Sequence, residues 1–171
     1  MSRIREKFRS LKNRREKALI VFMTAGDPSL EKNRKLALAF EADGVDLIEL
    51  GIPFSDPLAD GPVIQEASQR SLQKKTNLTK IFNLVRQIRQ KSQVPLVLMG
   101  YLNPILSYGL AAFTRDAKKA GVDGVIVPDL PPEEGKDFSA QMKKAGLDVI
   151  YLIAPTSTSE RKKQVARASS G

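Results

Sequence analysis

The sequence predicts an α/β fold: an N-terminal helix, then five strand-to-helix units, with a parallel sheet inside and helices outside. Three observations predict it. Short apolar, β-branched runs alternate with longer stretches that are apolar at every third or fourth residue, the order that builds a parallel sheet flanked by helices. A unit repeats: Ala-Asp-Gly-Val-Asp-Leu-Ile-Glu at 42–49 returns as Ala-Gly-Val-Asp-Gly-Val-Ile-Val at 120–127, and more weakly as Ala-Gly-Leu-Asp-Val-Ile-Tyr at 145–151. Such repetition belongs to barrels of β/α units. The unusual loops, at 51–62, 100–104, 128–132 and 154–158, follow the strands, at the carboxyl ends where that fold carries its active residues. A complete barrel needs eight units and this chain has five. The sheet is therefore either open and doubly wound or a barrel that stops early. Gly171, a helix stop with no strand behind it, and the bare edges of an unclosed sheet favour the second. At 171 residues, one domain spanning 1–171 is expected.

The elements follow in order. Ile4, Phe8 and Leu11 recur at helical spacing and give the first helix a docking face. Ala18–Thr24 is a continuous apolar run, the signature of a buried parallel strand. Ser29 caps the next helix, whose inner face carries Leu36, Ala37, Ala39 and Phe40, and Asp43-Gly44 ends it. Leu47–Leu50 is the second strand, followed by a helix over 62–75. Thr76-Asn77 breaks the pattern and caps a helix over 78–91 with the stripe Leu78, Ile81, Phe82, Val85, Ile88. Pro95–Met99 is the third strand; a helix over 105–120 follows, with a break near Tyr108-Gly109 and Gly121 as its cap. Gly124–Val127 is the fourth strand and 133–145 the next helix, stopped by Gly146. Asp148–Ile153 is the fifth strand, and Ser159 caps a last helix over 160–168.

Composition removes whole classes of chemistry. Cys and His are both absent. Disulfides, thiol nucleophiles, Ser-His constellations and imidazole metal sites are excluded, and proton transfer falls to Asp, Glu, Lys, Tyr or water. No metal site is expected. No apolar run approaches the roughly 20 residues of a membrane span, and the N-terminus lacks a secretory core, so a cytoplasmic protein without membrane association is expected. The net charge is +9, and residues 1–17 hold eight basic side chains against Glu6 and Glu16. No aromatic stacking set interleaves with them, so nucleic-acid binding is not expected; a solvated basic surface attractive to anions is.

The chain is organised around Asp46–Pro62. Glu49 stands alone in an apolar run, and a charge buried there needs a partner or a shifted pKa. Asp56 and Asp60 follow on a loop stiffened by Pro53, Pro57 and Pro62. Two readings compete. Glu49 is a paired core residue while Asp56 and Asp60 shape turns, or a strand carboxylate and a loop carboxylate form an acid/base pair.

Four segments carry a resemblance to the tryptophan synthase alpha subunit family: Thr24-Ala-Gly-Asp-Pro28, Glu49 through Pro62 with Gln65, Tyr101-Leu-Asn-Pro104, and Val127-Pro-Asp-Leu-Pro131. The resemblance extends over essentially the whole chain, and the stretch from Glu49 is highly specific. It implies a (β/α)8 TIM barrel, of which this chain holds about the first five units and the N-terminal helix. It implies the retro-aldol cleavage of indole-3-glycerol phosphate to indole and glyceraldehyde 3-phosphate in tryptophan biosynthesis. Glu49 matches the acid/base residue, with a raised pKa, and Asp60 the carboxylate that receives the indole N–H. Phe22, Met99, Tyr101, Ile126 and Ile153 match or lie close to the indole pocket, with barrel core as the competing role for Ile126 and Ile153. Asp129 matches a residue that steadies the acidic loop at the substrate site, against a plain turn former. Pro53, Asp56, Pro57, Asn103 and Pro131 lie on loops that face a partner, the beta subunit, in an α2β2 heterotetramer. No cofactor is implied in this subunit; pyridoxal phosphate is expected in the beta subunit.

Family members are longer, so a truncated chain is expected, with the proton-transfer half of the site present and the glycine-rich phosphate loops absent. Two other classes stay open: another phosphate-handling barrel aldolase or isomerase, and a catalytically weak chain that acts mainly by binding the beta subunit.

Overall fold

The structure, a computed structural model, describes residues 2–171. Helix α1 (Arg3–Arg14) precedes β1 (Ile20–Thr24), α2 (Leu30–Ala42), β2 (Leu47–Gly51), α3 (Pro62–Gln73), α4 (Leu78–Arg89), β3 (Leu96–Met99), α5 (Leu102–Tyr108), α6 (Leu110–Ala120), β4 (Gly124–Ile126), α7 (Lys136–Lys144), β5 (Asp148–Ile150) and α8 (Ser159–Ala168). The strands form one parallel sheet in chain order, β1-β2-β3-β4-β5.

Alternation along the strands sorts side chains onto two faces. Ile48, Leu50, Leu96, Leu98, Val125 and Val149 point outward and pack with Ile81, Phe82, Val85 and Ile88 of α4, Phe113 and Ala117 of α6 and Met142 of α7. Leu47, Val97 and Ile126 point to the inner face, where Ile4 of α1 closes over them. Phe8, expected to dock with Ile4 and Leu11, is 41% exposed. Helix α1 is held by charge as well. Its Arg3 reaches the buried Asp123 at 2.9 Å and its Lys7 reaches Asp46 at 3.4 Å.

Asp46, Asp123 and Asp148 are the Asp of the repeated unit, and each stands at the start of a strand. Asp46 accepts the Leu19 N–H and Asp123 the Leu96 N–H, both at 2.9 Å. In its first two copies the repeat is therefore a joint, in which the carboxylate ties its own strand to the start of the preceding one; in the third, Asp148 Oδ2 is buried without a hydrogen-bond partner. Asp123 also receives Arg89, which donates further to the Gly121 and Val94 carbonyls. Beyond α8 the chain returns to the free edge of β5: Ser170 N–H bonds the Val149 carbonyl, and the Ser170 and Ser169 hydroxyls take the Val149 and Tyr151 N–H groups.

Several bounds differ from expectation. Helix α5 starts at Leu102, so Asn103 and Pro104 lie inside its first turn, where proline is tolerated because the early N–H groups have no helical partner. Gly109, at φ 90°, separates α5 from α6. Helix α7 starts only at Lys136, and β5 ends at Ile150 because an edge strand with one neighbour loses its ladder early. Thr158, not Ser159, caps α8 by accepting the Arg161 N–H. On α2 the buried face is Asn33 and Ala37, while Leu36 and Ala39 are exposed.

Candidate active site

Register places the first carboxylate. Glu49 sits opposite Phe22 on one side and Val97 on the other, all on the inner face. It is half-buried, and burial raises its carboxyl above the ordinary glutamate range. Among the described residues no hydrogen bond or ion pair reaches it. Glu49 borders a concave, apolar cavity of about 330 Å³ with Ile20, Leu47, Val97, Ile126 and Ile150. Two residues on, Gly51 has no side chain because Phe22 occupies the space: a Cβ there would stand 2.6 Å from the Phe22 ring.

Asp60 lies beyond the carboxyl end of β2, on a small cavity lined also by Phe22, Gly51, Met99 and Tyr101. Phe22 thus borders both carboxylates, facing Glu49 in register and Asp60 across the cavity. The Asp60 carbonyl accepts the Gln65 side-chain N–H at 2.7 Å, which ties the loop to the first turn of α3. Ala59 N–H donates to the Tyr101 phenol oxygen at 2.9 Å, and Phe54 tilts against the Tyr101 ring at 5.4 Å. Burial raises the Tyr101 phenol, and the nearby Asp60 charge adds to this.

The remaining expected residues fall in distinct places. Met99 is opposite Ile126 on the inner face, and Ile126 is buried beside Glu49's cavity. Asp129 is exposed, and both its oxygens accept the Leu102 N–H at the start of α5, at 3.0 and 3.2 Å. Ile153 is 51% exposed, past the end of β5, and the structure does not bring it to the others. Asp56 and Asn103 are exposed and Pro57 and Pro131 half-buried, whereas Pro53 is buried within the chain.

Sequence reasoning missed the scaffold beneath the loop after β1. Buried Asn33 accepts the Gly26 N–H at 2.6 Å and donates to the Thr24 and Asp27 carbonyls. Ser71 of α3 donates to the Ala25 carbonyl, and Arg70 pairs both nitrogens with Asp27 at 2.9 Å. These bonds lock α3, which starts two residues after Asp60, to the end of β1. The available signal was a polar Asn33 four residues before Ala37, on the side of α2 that faces the core. Among the described residues no three acidic side chains gather into a metal site, and no helix is long and apolar enough to cross a membrane.

The sequence model of the tryptophan synthase alpha chain family matches residues 8–171. The chain belongs to that family. It is 54% identical over 171 residues to the tryptophan synthase alpha chain of Geotalea uraniireducens, covering all of this chain and 64% of that one. The alpha chain of Geobacter sulfurreducens is 52% identical, with 65% of its length covered. The chain thus spans somewhat less than two thirds of these relatives. Solved structures agree. The tryptophan synthase alpha subunit of Legionella pneumophila superimposes on 99% of this chain and 65% of its own, at a TM-score of 0.95 and 44% identity. The tryptophan synthase complex of Pyrococcus furiosus matches 90% of this chain and 63% of its own, at 0.86 and 40%. The expected fold class holds: the five β/α units are those of the alpha chain TIM barrel.

Proposed function

We propose that this alpha-family chain serves the cleavage of indole-3-glycerol phosphate into indole and glyceraldehyde 3-phosphate, a carbon–carbon lyase step of tryptophan biosynthesis. The observation that carries the reading is Glu49: a carboxylate without a partner among the described residues, raised by burial, on the inner face beside Phe22. A carboxyl raised by burial holds its proton more readily than an ordinary glutamate, and such a group can both give and take a proton.

The step balances as follows. Glu49 delivers a proton to the indole ring carbon that bears the side chain, and the substrate hydroxyl on the adjoining carbon gives its proton to the Glu49 carboxylate so formed. The oxygen electron pair closes a carbonyl, the carbon–carbon bond breaks, and its electrons return to the ring as indole leaves. Asp60 accepts the indole N–H and stabilises the positive charge that develops on the ring. Phe22 and Met99, which line the Asp60 cavity, supply apolar surface for the ring, and Ile126 extends it toward Glu49. Neither carboxylate's role calls on a metal or cofactor in this chain.

The partner in this reading is the beta subunit, with pyridoxal phosphate on that side and an α2β2 assembly. A relative from P. furiosus was solved as an α2β2 complex. On this chain Leu58 is 84% exposed, Val63 of α3 75% and Leu106 of α5 54%, near Asp56 and Asn103 in the chain. Exposed apolar side chains of this size on one rim suit a protein partner. Indole release from indole-3-glycerol phosphate, followed with and without added beta subunit, tests the reading. Release that rises with the beta subunit is expected. No release under either condition overturns the reading.

A further inference from the structure

Tyr101 touches one loop at two points. Its phenol oxygen accepts the Ala59 N–H at 2.9 Å, and its ring packs on Phe54 with centroids 5.4 Å apart. Phe54 and Ala59 bracket the acidic loop, and Asp60 is the next residue. One side chain therefore holds both ends of the segment that delivers Asp60. Tyr101 is itself fixed, being only 4% exposed. It immediately precedes α5, and its side chain makes no capping bond to that helix. The acceptor for the Leu102 N–H comes from Asp129 instead, on the loop after β4. Three loops are thus linked in series: Asp129 to Leu102, and Tyr101 to Ala59 and Phe54.

We propose that Tyr101 is a positioning residue that sets where the Asp60 carboxylate stands over the inner face, with Asp129 fixing Tyr101 from behind. The proposal rests on the reading of Asp60 as the group that receives the indole N–H. Its physical basis is the sensitivity of a reacting geometry to displacement. A shift of about 1 Å from a remote change costs about a hundredfold in rate, and among the described residues the side-chain hydrogen bonds that reach this loop from other segments are those of Tyr101 and Gln65. Asp60's charge beside the buried phenol is consistent with close approach of the two groups. A pocket wall is the competing role for Tyr101, and a wall needs the ring but not the hydroxyl.

Tyr101→Phe separates the two roles, since it keeps the ring on Phe54 and removes only the acceptor for Ala59. In this chain, amide exchange at Ala59 is expected to rise about tenfold or more, because the N–H loses its partner while the core keeps its ladder. The Leu96–Leu98 amides of β3 serve as the internal reference and stay unchanged. In the indole-release assay, kcat is expected to fall by about ten- to a hundredfold with KM held within about threefold. Asp129→Ala shifts both readouts in the same direction by less. Parent-like exchange at Ala59 in Tyr101→Phe overturns the proposal. So does a parent-like kcat in Tyr101→Phe when an Asp60→Asn control is inactive. If Asp60→Asn itself keeps the parent kcat, the functional reading of Asp60 fails, and exchange at Ala59 still decides whether Tyr101 holds the loop.

Discussion

Burial raises the Glu49 carboxyl because its charged form loses water on a face lined by Ile20, Leu47, Val97 and Ile126 and gains no donor in return. A carboxyl whose folded pKa lies above its unfolded value favours folding when protonated, and that advantage is lost as pH rises through the folded pKa. Glu49→Gln, which stays neutral, is therefore expected to melt higher than the parent at pH 8, with the difference closing below about pH 4, under the ordinary glutamate value. Melting temperatures of both chains across that range check this. Asn33 makes the opposite case, a polar group fully satisfied by burial among backbone partners. Asn33→Ala strands the Gly26 N–H and is expected to cost about 1–3 kcal/mol in urea unfolding. Glu49 was legible in the sequence as one charge inside an apolar run. Asn33 was not, because a single polar residue on an amphipathic helix looks the same whether it meets solvent or the loop beneath it.

At the scale of elements, the repeat seen in the sequence turns out to be a construction rule. Asp46 and Asp123 each take a backbone N–H at the start of the neighbouring strand, and each also receives a cation of α1. The basic N-terminal stretch, unusual in composition, is thereby partly explained as fastening, at the amino ends of the strands and away from Asp60. Asp123 is the strongest joint, since its partner Arg89 is almost fully buried. Asp123→Ala leaves that guanidinium uncompensated and is expected to cost about 3–5 kcal/mol, readable by chemical denaturation. Strand order and helix stripes such as Leu78–Ile88 could be read from periodicity, because each reports on its own neighbours a few residues away. The short extent of β5 and the late start of α7 could not. They depend on how many strands lie alongside, and β5 has only one beyond the brief contact at Ser170. Pro53 illustrates the same limit: a proline on a loop reads as exposed, yet the fold buries it.

At the scale of the whole molecule, the sheet has an outer face sealed by helices and an inner face that α1 covers only at one end. Leu19 and Ile20 are 53% and 43% exposed at the free edge of β1. An unpaired strand edge beside apolar side chains promotes association between chains. Ile20→Lys is expected to lower concentration-dependent association of this chain, measured by light scattering; an unchanged association state contradicts that account of the edge. Glu49 borders one cavity, with Ile20 and Leu47 from the starts of β1 and β2 and with Ile4 and Phe8 from α1. At the carboxyl ends of the strands Phe22, Asp60, Met99 and Tyr101 line another. Their convergence was legible because β/α order alone places those loops on one side. The bond to the loop was not: Tyr101, expected at the indole pocket, lines the Asp60 cavity and also accepts the Ala59 N–H of the acidic loop.

Whether Glu49 carries the proton is read from indole release by Glu49→Gln, nearly the same shape without the ionisable group, with circular dichroism confirming the fold. A loss of about a hundredfold to ten-thousandfold in kcat is expected, the usual worth of a positioned acid/base group. Near-parental indole release by a folded Glu49→Gln chain would contradict that role.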